Sequence, residues 1–197
     1  MSKLTVRRAI ILALVAAACV LVVPGVSGAQ VRAKHRAEYK ASLNDLKNVF
    51  SIYAQAYDNA KAGSYQLNTT LVATTDHDLK VIYEQQALNT YTAYLGKPEE
   101  WNLSYAKIVN GFKAKATRYF VAATQQTRFK TACNGLKTAA RKLILLANVH
   151  AYDSYQELST DPPDYVTSEA MLGFGDEDAA AGHEGFDKQM AALKALL

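Results

Sequence analysis

Apolar residues recur at alternating steps of four and three along much of this chain, and this spacing strongly constrains the fold. The longest run comprises Tyr39, Leu43, Leu46, Phe50, Tyr53, Tyr57 and Ala60. Side chains at these steps lie on one face of an α-helix, where they form a stripe that another helix must cover. The pattern therefore predicts an all-α protein.

We expect an antiparallel bundle of about four long helices within residues 30–160. Gly63 favours the C-terminus of the first helix, with a polar loop after it. Pro98 opens the third helix, because proline is tolerated in the first turn. Helices of about 60 residues are uncommon, so a turn near Gly135 is expected, while Gly111 is only a weak point.

Charge is segregated along the chain. Residues 101–142 contain nine bases and no acid, whereas residues 153–187 contain ten acids and neither Lys nor Arg. A cluster of bases attracts anionic surfaces, so these bases are the candidate residues for binding an anionic partner. They are Lys107, Lys113, Lys115, Arg118, Arg128, Lys130, Lys137, Arg141 and Lys142.

Residues 161–197 form an acidic tail that also contains glycine. The glycines predict that its middle is a loop; they are Gly173, Gly175, Gly182 and Gly185. Apolar residues at steps of four, three and four then predict a short C-terminal amphipathic helix, namely at Phe186, Met190, Leu193 and Leu197. We expect this helix to dock on the bundle. Whether the acids of the tail then neutralise the basic stretch is a separate question that the sequence leaves open.

Residues 1–29 are typical of a secretory signal peptide. Three bases precede fifteen uncharged residues at 9–23, and small residues follow, so cleavage is expected near Gly28 or Ala29. A helix of that apolar length spans roughly 22 Å, which is short of a hydrocarbon core of about 30 Å and argues against a retained anchor. Cleavage would lower the formal net charge from +4 to +1 and place the protein outside the cytoplasm, secreted or in the cell envelope.

Motifs for catalysis and for common cofactors are missing from the sequence. It contains neither the Glu-x-x-His pairs of di-metal bundles nor the Cys-x-x-Cys-His motif of c-type haem. His150, Asp153 and Glu157 share one helical face and are a weak candidate metal site, although a polar end of the bundle is the simpler interpretation. Cys133 lies on an apolar stripe, which favours a buried and inert thiol. We expect no enzyme activity, no metal and no cofactor.

Twelve tyrosines form the other unusual feature of the composition. Several lie on or beside the predicted apolar stripes, and a buried tyrosine needs a hydrogen-bond partner for its hydroxyl. The bundle is therefore expected to contain a polar seam or a cleft that holds a ligand, although packing of these tyrosines in the core or at its boundary is the simpler interpretation.

These features together favour a secreted or envelope-associated, non-catalytic helical bundle. Its expected partner is another protein or an anionic envelope or membrane surface, bound through the basic stretch. Nucleic acid satisfies the same electrostatics, but the export signal argues against it. The alternatives are a small-ligand carrier, for haem or lipid, and an accessory subunit of a membrane or envelope complex.

Overall fold

The computed structural model describes residues 30–197, and the predicted signal peptide at residues 1–29 lies outside them. The described residues form helices and contain no strand, which confirms the all-α prediction. None of these helices is long and apolar enough to cross a membrane. After a 3-10 turn at Ala33–His35 come α1 (Arg36–Ala73), α2 (His77–Tyr94), α3 (Lys97–Ala114), the single turn α4 (Ala116–Tyr119), α5 (Ala123–Ala140), a π-helical segment (Arg141–Ala147), α6 (Asn148–Leu158) and α7 (Tyr165–Lys194).

The apolar stripe of α1 is buried as its spacing predicts, but the helix is longer than expected. Beyond Gly63 the stripe continues with buried Ser64, Leu67 and Leu71, so the expected C-terminus at Gly63 and the polar loop after it are wrong. The hydroxyl of Tyr155 lies too close to Gly63 to leave room for a Cβ. Glycine here permits close packing of the Tyr155 side chain and does not end the helix.

The expected turn at Gly135 is also wrong, because α5, the π-helical segment and α6 form one continuous helix from residue 123 to residue 158. The break falls earlier, between α3 and α5, and contains neither glycine nor proline. Phe120 has an extended backbone there, with φ −126° and ψ 142°. Its fully buried ring packs 5.4 Å from that of Phe129, measured between ring centroids, so aromatic burial fixes the position of the turn.

The predicted loop and short C-terminal helix are replaced by α7, a single helix of 30 residues. Its first turn is capped by Asp164, whose carboxylate accepts a hydrogen bond of 2.9 Å from the backbone N–H of Thr167. Gly175, Ala179 and Gly182 are buried at steps of four and three. These small residues let α7 approach its neighbour closely, which offsets the cost of about 0.5–1 kcal/mol per glycine in a helix.

Two glycines of α7 pack closely against the π-helical segment. A Cβ added at Gly182 would lie 2.6 Å from the Cβ of Leu143 and 2.9 Å from its backbone nitrogen. A Cβ added at Gly175 would lie 3.3 Å from the carbonyl oxygen of Ala147, at the other end of the segment. Backbone and Cβ atoms do not rotate away, so only glycine is accommodated at residue 182.

We expect Gly182→Ala to lower the free energy of unfolding by about 1–3 kcal/mol, because an added methyl overpacks a rigid contact. The matched control is Gly173→Ala in the same helix, where an added Cβ meets nothing within 4 Å. That exchange is expected to raise the free energy of unfolding by up to about 0.5–1 kcal/mol. Chemical denaturation followed by circular dichroism measures both, and equal effects would contradict the close-packing argument.

Candidate functional site

The nine predicted bases lie on several faces of the molecule rather than on one. In α5, Lys130, Lys137 and Arg141 are separated by seven and four residues and therefore share one side of the helix. Arg128 is nine residues from Lys137, which at 3.6 residues per turn places it on the opposite side. It lines a shallow cleft against α7 instead, beside Gln189.

One base of α3 joins the three bases of α5. Lys113 Nζ donates a hydrogen bond of 2.8 Å to Asn134 Oδ1, and Asn134 lies between Lys130 and Lys137 on the same side of α5. We call the set formed by Lys113, Lys130, Asn134, Lys137 and Arg141 the basic face. Lys107 is six residues from Lys113 on α3 and points about 120° away from it, so it lies outside this set.

The cations of the basic face have no acidic partner. Lys130 and Arg141 are exposed, Lys113 and Lys137 are half-buried, and none of the four has a carboxylate within 4 Å among residues 30–197. Like charges on one side of a helix repel each other. The basic face therefore presents four uncompensated positive charges from two helices.

The acidic helix α7 neutralises little of the basic stretch. It packs along α5, the π-helical segment and α6. Of the nine bases, only Lys142 pairs with an acid of residues 153–187 in the described structure, through an Nζ–Oδ1 distance of 3.3 Å to Asp178. A shorter ion pair of α7 joins Asp176 Oδ1 to Lys61 Nζ at 2.6 Å, and Lys61 belongs to α1 rather than to the basic stretch.

Two further predicted bases, Lys115 and Arg118, are engaged at the start of α1. The turn α4 places both beside Glu38, with Lys115 Nζ 3.0 Å from Oε1 and Arg118 Nη2 3.0 Å from Oε2. The hydrogen bond from Lys115, together with the charge of Arg118, holds the pKa of Glu38 below its ordinary value of 4.5. These two bases anchor the N-terminal end of the bundle.

A carboxyl group whose pKa is lowered by folding stabilises the fold above its ordinary pKa, and this stabilisation is lost as the pH falls through the lowered value. We therefore expect Glu38→Gln to lower the melting temperature at neutral pH, with a difference from the parent protein that shrinks below the ordinary pKa of 4.5. Thermal unfolding at neutral and acidic pH measures this difference. Glu177→Gln, at an exposed residue of α7 without an ion pair, is the control. A difference that does not vary with pH would contradict the assignment.

The weak candidate metal site is not assembled. Among residues 30–197 no group of three or more His, Cys, Asp or Glu side chains is placed to hold a metal ion. His150 instead has its Nε2 3.7 Å from Oδ2 of Asp178 on α7. Burial raises the pKa of Asp153, partly opposed by the charge of His150. No sequence pattern predicts Asp178 as a neighbour, since 28 residues separate it from His150.

Cys133 is fully buried behind the basic face, which confirms the prediction of a buried thiol. Burial raises the pKa of this thiol to about 12, and the charges of Lys113 and Lys137 only partly oppose the increase. The thiolate is the reactive form of cysteine, so the folded protein holds Cys133 in its unreactive form.

We expect Cys133 to resist a disulfide reagent such as Ellman's reagent in the folded chain that begins at Gln30. Reaction at about pH 8 should proceed only through unfolding, because the native thiol is both buried and protonated. The rate of thiol modification, compared with the rate in guanidinium chloride, measures this protection. Rapid modification of the folded protein would contradict it.

Several tyrosine hydroxyls have the partners that burial demands. Tyr39 donates to the carbonyl oxygen of Leu193 at 2.9 Å, and Tyr155 donates to the carbonyl oxygen of Ala60 at 3.1 Å. Tyr57 donates to Oδ1 of Asp176 at 2.7 Å. These bonds join α7 and α6 to α1, and they form the polar seam that the tyrosine content predicts.

Comparison with known proteins finds no match to any family model, to any curated protein or to any solved structure. The fold and the site define an all-α protein with an uncompensated basic face. We therefore infer the function from the chain's own residues.

Proposed function

We propose that this protein is a secreted or envelope-associated, non-catalytic helical bundle that binds an anionic partner through the basic face. The observation that carries the proposal is the set of four cations from α3 and α5 with no carboxylate partner among residues 30–197. Like charges four residues apart, as at Lys137 and Arg141, destabilise a helix by about 0.2–0.5 kcal/mol. An anionic group between them removes that repulsion.

The chemistry of the basic face favours oxyanions. Its lysines are compact point charges suited to phosphate or sulfate, and Arg141 adds a planar fork that binds two oxygens at once. Exposed charges are screened beyond about 8 Å at physiological ionic strength, so the anion has to be in contact with the surface. The partners that fit are anionic head groups of an envelope or membrane surface, or the acidic surface of another protein.

The proposal narrows the set of binding residues expected from the sequence. Lys115, Arg118 and Lys142 already pair with carboxylates of the chain itself. Lys107 and Arg128 point away from the basic face, as their helical positions require. We assign these five bases no part in the first contact with the anionic partner.

We expect the double exchange Lys130→Glu with Lys137→Glu to weaken binding to phosphatidylglycerol vesicles or to heparin at least tenfold, because it reverses two of four charges. The matched control is Lys40→Glu with Lys47→Glu, since these exposed bases of α1 are also seven residues apart and unpaired in the described structure. Vesicle co-sedimentation and heparin affinity chromatography at several salt concentrations measure the effect.

Binding by the parent protein should weaken steeply as salt increases, and less steeply in the Lys130 and Lys137 double variant. Equal losses in the two double variants would assign the effect to net charge rather than to the basic face. Binding that does not respond to salt would remove the electrostatic basis of the proposal.

A small-ligand carrier is the second candidate, and one observation favours it. A cleft lies between α1, α2 and α6, with Tyr94, Trp101 and Tyr152 among its lining residues. Its lining has no His, Cys or Met, which are common axial ligands of haem. The side-chain amide of Asn59 also lines it, and an amide suits a polar ligand better than a lipid chain.

A further inference from the structure

Two adjoining clefts lie where α2 rests on α1 and α6. Each has a volume of about 340 Å³, and they share Thr90 and Tyr155. Ala87 is the one fully buried residue in the described helix α2, so this helix covers the bundle without filling the space beneath it. We call the two together the aromatic cleft; its size lies within the range of small-molecule sites, about 300–1,000 Å³.

Aromatic rings supported by one another form one wall of the aromatic cleft. The rings of Tyr94 and Tyr152 stack with centroids 4.4 Å apart and an interplanar angle of 9°. Trp101 meets both edge-on, at 6.2 Å and 6.4 Å, and its other neighbour Tyr53 stacks on it at 5.6 Å. Tyr94 remains 39% exposed. Because neighbouring rings fix one another, this surface needs little reordering when a ligand binds.

Side-chain amides without a protein partner form the polar part of the aromatic cleft. Asn59, Gln66 and Gln86 line it, and their side chains make no hydrogen bond within residues 30–197. Each amide offers two donors and an acceptor. The hydroxyls of Thr70 and Thr90 donate to backbone carbonyls of α1 and α2 and keep their lone pairs free to accept. The aromatic cleft therefore carries free hydrogen-bonding groups beside an aromatic wall.

The lining of the aromatic cleft is uncharged, since none of its residues is Asp, Glu, Lys, Arg or His. A charged ligand would lose hydration there without gaining a counter-charge, which is unfavourable. An alkyl chain would leave the amides facing apolar surface. The lining thus excludes both charged and purely apolar ligands.

We propose that the aromatic cleft binds a neutral saccharide. A pyranose ring carries C–H groups on its faces and hydroxyl groups around its edge. The C–H groups pack against the exposed part of the Tyr94 ring, while the hydroxyls exchange hydrogen bonds with Asn59, Gln66 and Gln86. This site is separate from the basic face and is selective by shape and hydrogen bonding rather than by charge.

Trp101 is the only tryptophan of the chain, so its fluorescence reports directly on the aromatic cleft. The protein is first screened on an array of neutral and anionic glycans, and then titrated with oligomers of N-acetylglucosamine and of glucose. We expect at least one neutral glycan to bind with a saturable change in Trp101 fluorescence. Tyr94→Ala and Asn59→Ala should each weaken this binding, the first by about tenfold, because it removes an aromatic surface on which the sugar ring packs.

The matched control is Tyr65→Ala, which removes a tyrosine of α1 that is 64% exposed and lies outside the aromatic cleft. Asn59 is exposed and unpaired, so Asn59→Ala tests the site even if Tyr94→Ala impairs folding. Binding of no neutral glycan, or equal binding by Asn59→Ala, Tyr94→Ala and Tyr65→Ala, would overturn the proposal. Binding of anionic glycans alone, lost with Lys130→Glu and Lys137→Glu, would also overturn it and assign the sugars to the basic face.

Discussion

The glycine-mediated contact of α7 with the π-helical segment is the constraint on which the rest of the structure depends. With Gly182 against Leu143, α7 lies close enough for Phe186 to stack on Phe50 of α1, with centroids 3.9 Å apart. Farther along α7, the carbonyl oxygen of Leu193 accepts the hydroxyl of Tyr39. The acidic C-terminal region is thus part of the core and not a removable tail, and its acids occupy the outward side of a structural helix.

This mode of attachment explains why the charge segregation of the sequence persists on the folded surface. If ion pairs held α7 in place, the acids of residues 153–187 would neutralise the bases of residues 101–142. Apolar and small side chains and the hydrogen bonds of Tyr39 and Tyr57 hold it instead, and Lys142 with Asp178 is the one pair between the two blocks within the described residues. Surface ion pairs contribute only about 0–1 kcal/mol to the free energy of unfolding. Selection for stability alone therefore gives little reason to pair the remaining charges with one another. The four cations of the basic face remain without a carboxylate partner among residues 30–197.

The sequence predicts local periodicity well and tertiary proximity poorly. The stripe from Tyr39 to Ala60 is buried because helical spacing alone decides which side chains share a face. The sequence predicts helix ends or loops at Gly63, Gly135 and Gly182, yet each lies inside a helix. A glycine permits an unusual backbone and also permits close approach, and only the identity of the facing residue separates these two uses. The basic face shows the same limit. Helical spacing alone predicts that Lys130, Lys137 and Arg141 share one side of α5. Only the contact between Lys113 and Asn134, on two different helices, shows that Lys113 belongs to the same surface.

The tyrosine content illustrates how one composition serves two purposes. Tyr39, Tyr57 and Tyr155 bond their hydroxyls to neighbouring helices and so stabilise the bundle. Tyr94 and Tyr152 instead stack in a cleft whose amides have no protein partner. Trp101 in that cleft and Lys113 on the basic face are twelve residues apart on α3, a separation of about 18 Å along the helix. This separation exceeds the screening length of about 8 Å at physiological ionic strength. Charges on the basic face therefore have little influence on a neutral ligand in the aromatic cleft. We expect the two surfaces to act independently.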